Sequence, residues 1–503
     1  MQPWHVYLAV GLYITLTTVL ALVVRRGVGK GIEEYFLANR RLGGAVSALS
    51  YSATTYSAFM MVGLAGLTYK GGVGALGFEL IYLSGLVLVA FFGPRFWLAG
   101  RKFHLVSPAE LLATRYDSRS LGAVAALAAM VFLVPYSAVQ LIGIGYLLEG
   151  LTGGAIPFLV GISIAAVVAL AWALAGGLRT VAWTDAVQAL LMMMAALLVV
   201  GYALAALGGP VTFANRLARE WPEWLSVPGG NGYFTLSTFA GLSLPWFFFS
   251  LSNPQVAQRM FAPRSLKSLR RMLLGFLAFG FIYTLVSVTW GFVARLEFHD
   301  LATPDLATPT LLNSGIVPPL VALLAMLGIM AAAISTIDSV LLTLASMLAR
   351  DVYRGLRPEA TENAQLRVGK WVIPVLTLVA FLFARMKINL IALLSVASSA
   401  GLLVLVPPTI GAFYWRRGTA TGAIASIVVA GLTVIWLQFR HPVWFGLWPG
   451  VWGLIISTVV FVAVSLGTRA PEERARQFID ELNTNLRKHR ENRGQGIECG
   501  QQG

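Results

Sequence analysis

Charge is scarce in this chain of 503 residues: only 12% of positions are Asp, Glu, Lys or Arg, against about 25% in soluble domains. With 57% hydrophobic residues, the sequence leaves the soluble globular class and reads as an all-α polytopic membrane protein. Cysteine is rarer still. The single Cys499 lies in a polar tail, so no intramolecular disulfide holds the fold. HExxH, GxSxG and Walker A sequences are absent, and the connections between apolar runs are too short for a separate catalytic domain. That argues against a membrane enzyme, and the lack of an output domain after the tail argues against a receptor. Only MQPW precedes the first apolar run, so a cleavable signal peptide with a basic leading region is not expected.

Apolar runs are what the chain has in abundance. Windows of about 20 residues pick out about thirteen candidate spans. They lie near 4–24, 45–68, 73–97, 120–149, 155–177, 181–208, 234–257, 272–294, 317–349, 369–385, 388–413, 420–439 and 443–467. Of the 37 Lys and Arg, 30 fall in the odd-numbered connections and the tail. The positive-inside rule places those in the cytoplasm, with the N-terminus outside and the C-terminus inside. The net charge of +15 then marks a membrane face, and a nucleic-acid partner is not expected.

Polar residues inside the spans carry the functional signal. In the ninth span Ala332, Ser335, Thr336, Ser339, Thr343 and Ser346 share one stripe of a helix turning 100° per residue. Small residues in such a stripe serve close helix packing as readily as a site. Asp338 lies just off it, and an intramembrane acid costs about 2.5–3.5 kcal/mol on insertion. The second span holds Ser47, Ser50, Ser52, Thr54, Thr55 and Ser57, with Gly63 and Gly66 beyond. It reads either as a helix unwound near Ala53 to Ser57, with freed carbonyls able to hold a cation, or as a continuous helix whose hydroxyls bond its own backbone. In the seventh span Pro245 predicts a break, and Ser250 to Gln255 make its later half polar. Two broken polar spans five positions apart point to two inverted five-helix repeats, spans 2–6 and 7–11.

Asp185 enters the sixth span near its start. It is either a favourable charge at a helix N-terminus or a negative group for a passing cation. Glu79 in the third span is placed to pair with Lys70, and Gln140 in the fourth is either a solute contact or a packing hydrogen bond. The expected organisation is residues 1–44 as an extra helix and loop, 45–208 and 234–413 as the repeats, and 209–233 as an external connection. Residues 414–467 supply two further helices and 468–503 a cytoplasmic tail with an amphipathic helix.

Three stretches together resemble the sodium:solute symporter family. GGLRTVAWTDAVQ (176–188) looks like its Gly-Gly…Trp-Thr-Asp…Gln signature, and AAAISTIDSVLLTLASMLARDVYR (331–354) like its Ser-Thr…Asp-Ser…Arg-Asp-Tyr region. EYFLANRRLGG with SYSATTYSAFMMVGLAGLTYKGG resembles the start of its core, and the likeness covers about residues 1–467. The resemblance implies a LeuT-like core of two inverted repeats in a cell membrane, and uptake of a small organic solute driven by Na⁺ through alternating access. It implies sodium ligation by the carbonyls of Ala53, Tyr56 and Ala332 and the hydroxyls of Ser335 and Thr336, with Asp185 on the ion pathway. Solute contacts fall on Ser57, Met60, Glu79, Gln140 and Asn253. Met60 stands where sugar carriers of the family have Gln, which disfavours a sugar. LATPDLATPTL and NPQVAQRM look closest to pantothenate and monocarboxylate members, and an amino acid such as proline is also within the family's range. A proton-coupled or sodium-independent carrier on the same fold, titrating Asp185 or Asp338, is the alternative.

Overall fold

The computed structural model describes residues 3–27, 29–386 and 391–498; Cys499 lies outside them. Helix α1 (Pro3–Arg25) is followed by a short α2 (Ile32–Leu37). The second apolar run is split into α3 (Gly44–Thr55) and α4 (Ala65–Gly71), joined through a π-turn at Phe59–Leu64. Helices α5 (Gly74–Ser84), α6 (Leu86–Lys102), α7 (Pro108–Tyr116), α8 (Arg119–Leu151) and α9 (Phe158–Ala206) complete the first half. After α10 (Pro210–Glu220), the seventh apolar run is cut into α11 (Leu236–Phe247), α12 (Phe249–Ser252) and α13 (Pro254–Arg259). Then come α14 (Leu266–Glu297), α15 (Ala307–Asn313), α16 (Pro319–Met347), α17 (Arg354–Leu356) and α18 (Glu362–Ala384). Last are α19 (Ile391–Leu402), α20 (Val406–Tyr414), α21 (Ala420–Arg440), α22 (Pro449–Gly467) and the tail helix α23 (Glu472–Glu498).

Among the described residues, ten helices are long and apolar enough to cross a membrane. The two split runs are not among them, because neither half alone is long enough. Position in the assembly follows from which face is apolar only to lipid. In α1, Val6, Val10, Tyr13, Thr17 and Ala21 are buried at helical spacing, while Leu8, Leu12, Leu16 and Val23 are exposed. That is a peripheral helix with one protein face. By contrast, every residue of α16 from Gly328 to Met347 is buried. This helix is the axis of the molecule, so its hydroxyls must find partners within the protein.

The seventh run departs from the sequence reading. Pro245 sits inside a continuous α11, and the extended residue is Asn253, at φ −92° and ψ 108°. Asn253 precedes Pro254, whose ring disfavours the helical region for the residue before it. The two spans expected to part between residues 177 and 181 do part within α9, at a sharp bend: Gly177, at φ 63° and ψ −160°, ends one helical run and a second follows at once. The α2 helix wedges into this bend, so a Cβ on Gly177 would meet the Tyr35 carbonyl oxygen at 2.3 Å. Gly177→Ala is expected to cost about 1–3 kcal/mol from strain at a left-handed position and to lower the thermal midpoint of the detergent-purified protein. Gly201→Ala, where no atom lies within 4 Å of the added carbon, should leave it unchanged.

Candidate functional site

The split in the second run creates the central feature. Helix α3 ends at Thr55, Tyr56 is extended at φ −86° and ψ 91°, and helical geometry resumes at Ala58. Of the two sequence readings, the interrupted one is what the backbone adopts. Carbonyls in the last turn of a helix have no intrahelical amide to accept, so Ala53 and Thr54 face α16 with oxygen to spare. The Ser335 hydroxyl donates to the Ala53 carbonyl at 2.9 Å and lies 3.0 Å from the Ala332 carbonyl. The Thr336 hydroxyl lies 2.9 Å from the Ala332 carbonyl, 3.3 Å from that of Thr54 and 3.4 Å from that of Ala53. Four of the five expected ligand residues thus converge, and Thr54 joins them. Tyr56 occupies the break itself, its ring stacked on Phe276 and Phe279 with centroids 5.2 and 5.9 Å away.

One turn further along α16 is a buried ion pair. Arg259, at the end of α13, lies 3.1 Å from Asp185 of α9, and both are at least 96% buried as side chains. The same arginine nitrogen donates to Thr54 at 2.8 Å and to Ser339 at 2.5 Å. Ser50 donates to Asp185 at 2.8 Å. Asp338 is close enough to act electrostatically on both charged groups. Thr54 is therefore shared: its carbonyl belongs to the oxygen cluster and its hydroxyl to the ion pair. Asp185 is a partnered carboxylate rather than an open one. Arg259 is the residue sequence reasoning missed; it reads as the first basic residue of a loop.

Two more polar ties follow toward the end of α16. Gln258 donates to the Val106 carbonyl at 2.8 Å and to Ser346 at 3.0 Å, and accepts from Thr343 at 2.6 Å. Ser107 donates to Asp351 at 2.5 Å, and Arg350 pairs with Glu110. Together these layers seal one side of the oxygen cluster.

The expected solute contacts are all buried, but they divide by environment. Gln140 accepts from the Ala58 amide at 3.2 Å, capping the half-helix that follows the break. Ser57 accepts from the Phe59 amide at 3.2 Å. Both serve the broken backbone. Met60 lies in the π-turn. Asn253 is engaged locally, donating to Ser252 at 3.1 Å and accepting from Gln255 at 3.5 Å. Glu79 does not pair with Lys70, whose ammonium lies 4.2 Å from the Tyr233 ring centre. One Glu79 carboxyl oxygen has no hydrogen-bond partner, while the Tyr56 hydroxyl lies beside Thr284 and the Tyr136 hydroxyl beside Ser57. Orphaned buried polar atoms call for an explanation. The Glu79 carboxyl and these hydroxyls gather around the Tyr56 break.

Two interrupted runs in a many-helix membrane protein, one of them meeting the buried α16 across a cluster of oxygens, are features that secondary transporters use. The chain belongs to the sodium:solute symporter family, which it matches over residues 35–430. It is a multi-pass protein of the plasma membrane. It is 28% identical over 454 residues to the sodium/pantothenate symporter of Escherichia coli, covering 89% of this chain and 93% of that one. To the sodium/proline symporter of Staphylococcus aureus it is 26% identical, with 93% and 94% covered. A Na⁺-coupled sialic acid symporter in an outward-open, substrate-bound state shares the fold, with a TM-score of 0.79, 21% identity, and 93% and 99% of the two chains covered.

Proposed function

We propose that this protein is a sodium-driven symporter of a small organic solute. Pantothenate, another monocarboxylate or an amino acid such as proline are the candidate cargoes, in line with the relatives' names. The observation that carries the reading is the meeting of the Ser335 and Thr336 hydroxyls with the Ala53 carbonyl across the break. Na⁺ is a hard cation that takes oxygen ligands. Here each hydroxyl can keep its proton on the Ala332 carbonyl and offer a lone pair to the ion, while the Ala53 carbonyl turns from the hydroxyl to the cation. The Ala332 carbonyl, through its second lone pair, and the Tyr56 carbonyl would bring the oxygens to five.

An ion in that position bridges α3 and α16 and biases the equilibrium between conformations. Alternating access would then run on two inverted five-helix repeats, residues 45–208 and 234–413. Thirteen crossings account for the count: the ten long helices, one more because α9 bends at Gly177, and the two split runs. The distribution of Lys and Arg supports an external N-terminus and a cytoplasmic C-terminus. Asp185 lies between the ion cluster and the cytoplasm, where release of sodium would weaken its arginine pair. Carrying one charge inward gains about 2.3 kcal/mol per 100 mV, enough to concentrate a neutral solute about fifty-fold at 1.36 kcal/mol per tenfold.

The test is uptake of radiolabelled pantothenate and proline into proteoliposomes. Replacing external Na⁺ by K⁺ is expected to abolish accumulation. Accumulation that survives without Na⁺, or that follows an imposed pH gradient instead, overturns the coupling.

A further inference from the structure

A second polar pocket lies well away from the oxygen cluster, where the end of α1, α2, the bend in α9 and the start of α18 meet. Its volume is about 370 Å³. Arg25, Lys30 and Lys370 line it, and no Asp or Glu does. Among the described residues, none of these three cations takes part in an ion pair. Two carboxylates stand at its rim but pair with none of the three: Glu34, beside Gly29, sits 2.6 Å from Arg179, and Glu362, beside Gly31, accepts from the Ile32 amide at 2.7 Å. The Lys370 ammonium lies 4.9 Å from the centre of the Tyr35 ring. Tyr35 is fixed in turn by donating to the Ala173 carbonyl at 2.9 Å. Arg25, Lys30 and Lys370 are exposed, so their charges are open to an anion that reaches the cavity from the membrane surface.

The surroundings say which anion. On α1, Leu22 and Val23 are exposed, and on α18 Trp371, Val375 and Leu378 are exposed. Both helices belong to the membrane-crossing set, so acyl chains lie on either side of the pocket. Trp371 beside Lys370 has the character of a residue at headgroup depth. Basic pockets between membrane helices on the cytoplasmic side suit lipid phosphates.

We propose that this pocket binds the phosphate of an anionic phospholipid, with its acyl chains along the exposed faces of α1 and α18. On the orientation argued above it opens to the inner leaflet. The bound headgroup ties the extra helix α1 and helix α18 to the α2–α9 junction, and so braces the outer rim of the bundle. The proposal is independent of which solute is carried.

The protein is reconstituted in nanodiscs of phosphatidylcholine alone or with phosphatidylglycerol, and retained lipid is counted by native mass spectrometry after release into detergent. Phosphatidylglycerol is expected to be retained and to raise the thermal midpoint; the triple variant R25Q/K30Q/K370Q should retain at least about tenfold less. Lys370→Gln alone, which keeps α18 intact, should lose several-fold. A variant with two exposed cations removed elsewhere, K267Q/R270Q, should match the wild type. Equal loss in that control, or no preference for phosphatidylglycerol, overturns the site. Full stabilisation by glycerol 3-phosphate in phosphatidylcholine would identify a free phosphate as the ligand and overturn the lipid assignment.

Discussion

Uptake by a Thr336→Ala variant is expected to need roughly ten- to a hundredfold more sodium for its half-maximal rate, with Ser335→Ala close behind. A hydrogen-bonding group that faces a charge contributes about 1.5–3 kcal/mol, and 1.36 kcal/mol is a factor of ten. The loss should fall on sodium and not on folding. The Thr336 hydroxyl rests 2.9 Å from the Ala332 carbonyl of its own helix. That carbonyl sits inside α16 and keeps its backbone amide when the hydroxyl is removed. The thermal midpoint without sodium should therefore be close to that of the wild type, and sodium should raise it less in the variant than in the wild type. Thr336→Ser restores the hydroxyl without the methyl and should recover most of the sodium affinity. If both alanine variants keep the wild-type sodium dependence, the assignment of these hydroxyls fails.

Much of this site is legible in the sequence because lipid removes the alternatives. A polar group in a helix that must sit among hydrocarbon is bonded within the protein or is functional. Hence the Ser335–Thr336 stripe, the polar second span and Asp185 stand out without coordinates. Arg259 does not, because a basic residue at the edge of an apolar run is the expected mark of a cytoplasmic loop. Its burial depends on the turn at Asn253, after which α13 brings it against Asp185, Thr54 and Ser339, contacts distant in sequence. The Pro245 expectation fails for a related reason. A proline can stay in a helix when neighbours satisfy the freed carbonyl, whereas the residue before Pro254 is pushed out of helical geometry by its own chain. Lys70 is a basic residue near Glu79 in the sequence, and nothing local separates the two. In the fold α5 turns its carboxyl into the protein, toward Tyr56, and leaves Lys70 with Tyr233.

Removing Arg259 should do more damage than removing its partner. Arg259→Gln leaves Asp185 buried with hydroxyl donors only, and breaking one side of a buried pair costs about 3–5 kcal/mol. Asp338 is within electrostatic reach of the same site, so the surroundings of the vacated position stay acidic. Asp185→Asn is the gentler change, since Ser339 and Thr54 still accept from the arginine. The double variant Arg259→Gln/Asp185→Asn removes both charges and should regain much of the stability lost in Arg259→Gln. A double-mutant cycle on thermal or denaturant midpoints is expected to show a coupling of about 1–3 kcal/mol. Function should separate from stability here. The pair fastens α13 to α9 beside the oxygen cluster, so losing it loosens the seal on the proposed cytoplasmic side. In a Cys499→Ser background, a cysteine at Ser346, buried behind the Gln258 tie, should then label faster with a thiol reagent applied from inside. Sodium should slow that labelling in the parent and much less in Arg259→Gln. Strictly additive single variants, or labelling that is unchanged, would mean that the pair is a static strut and not a gate.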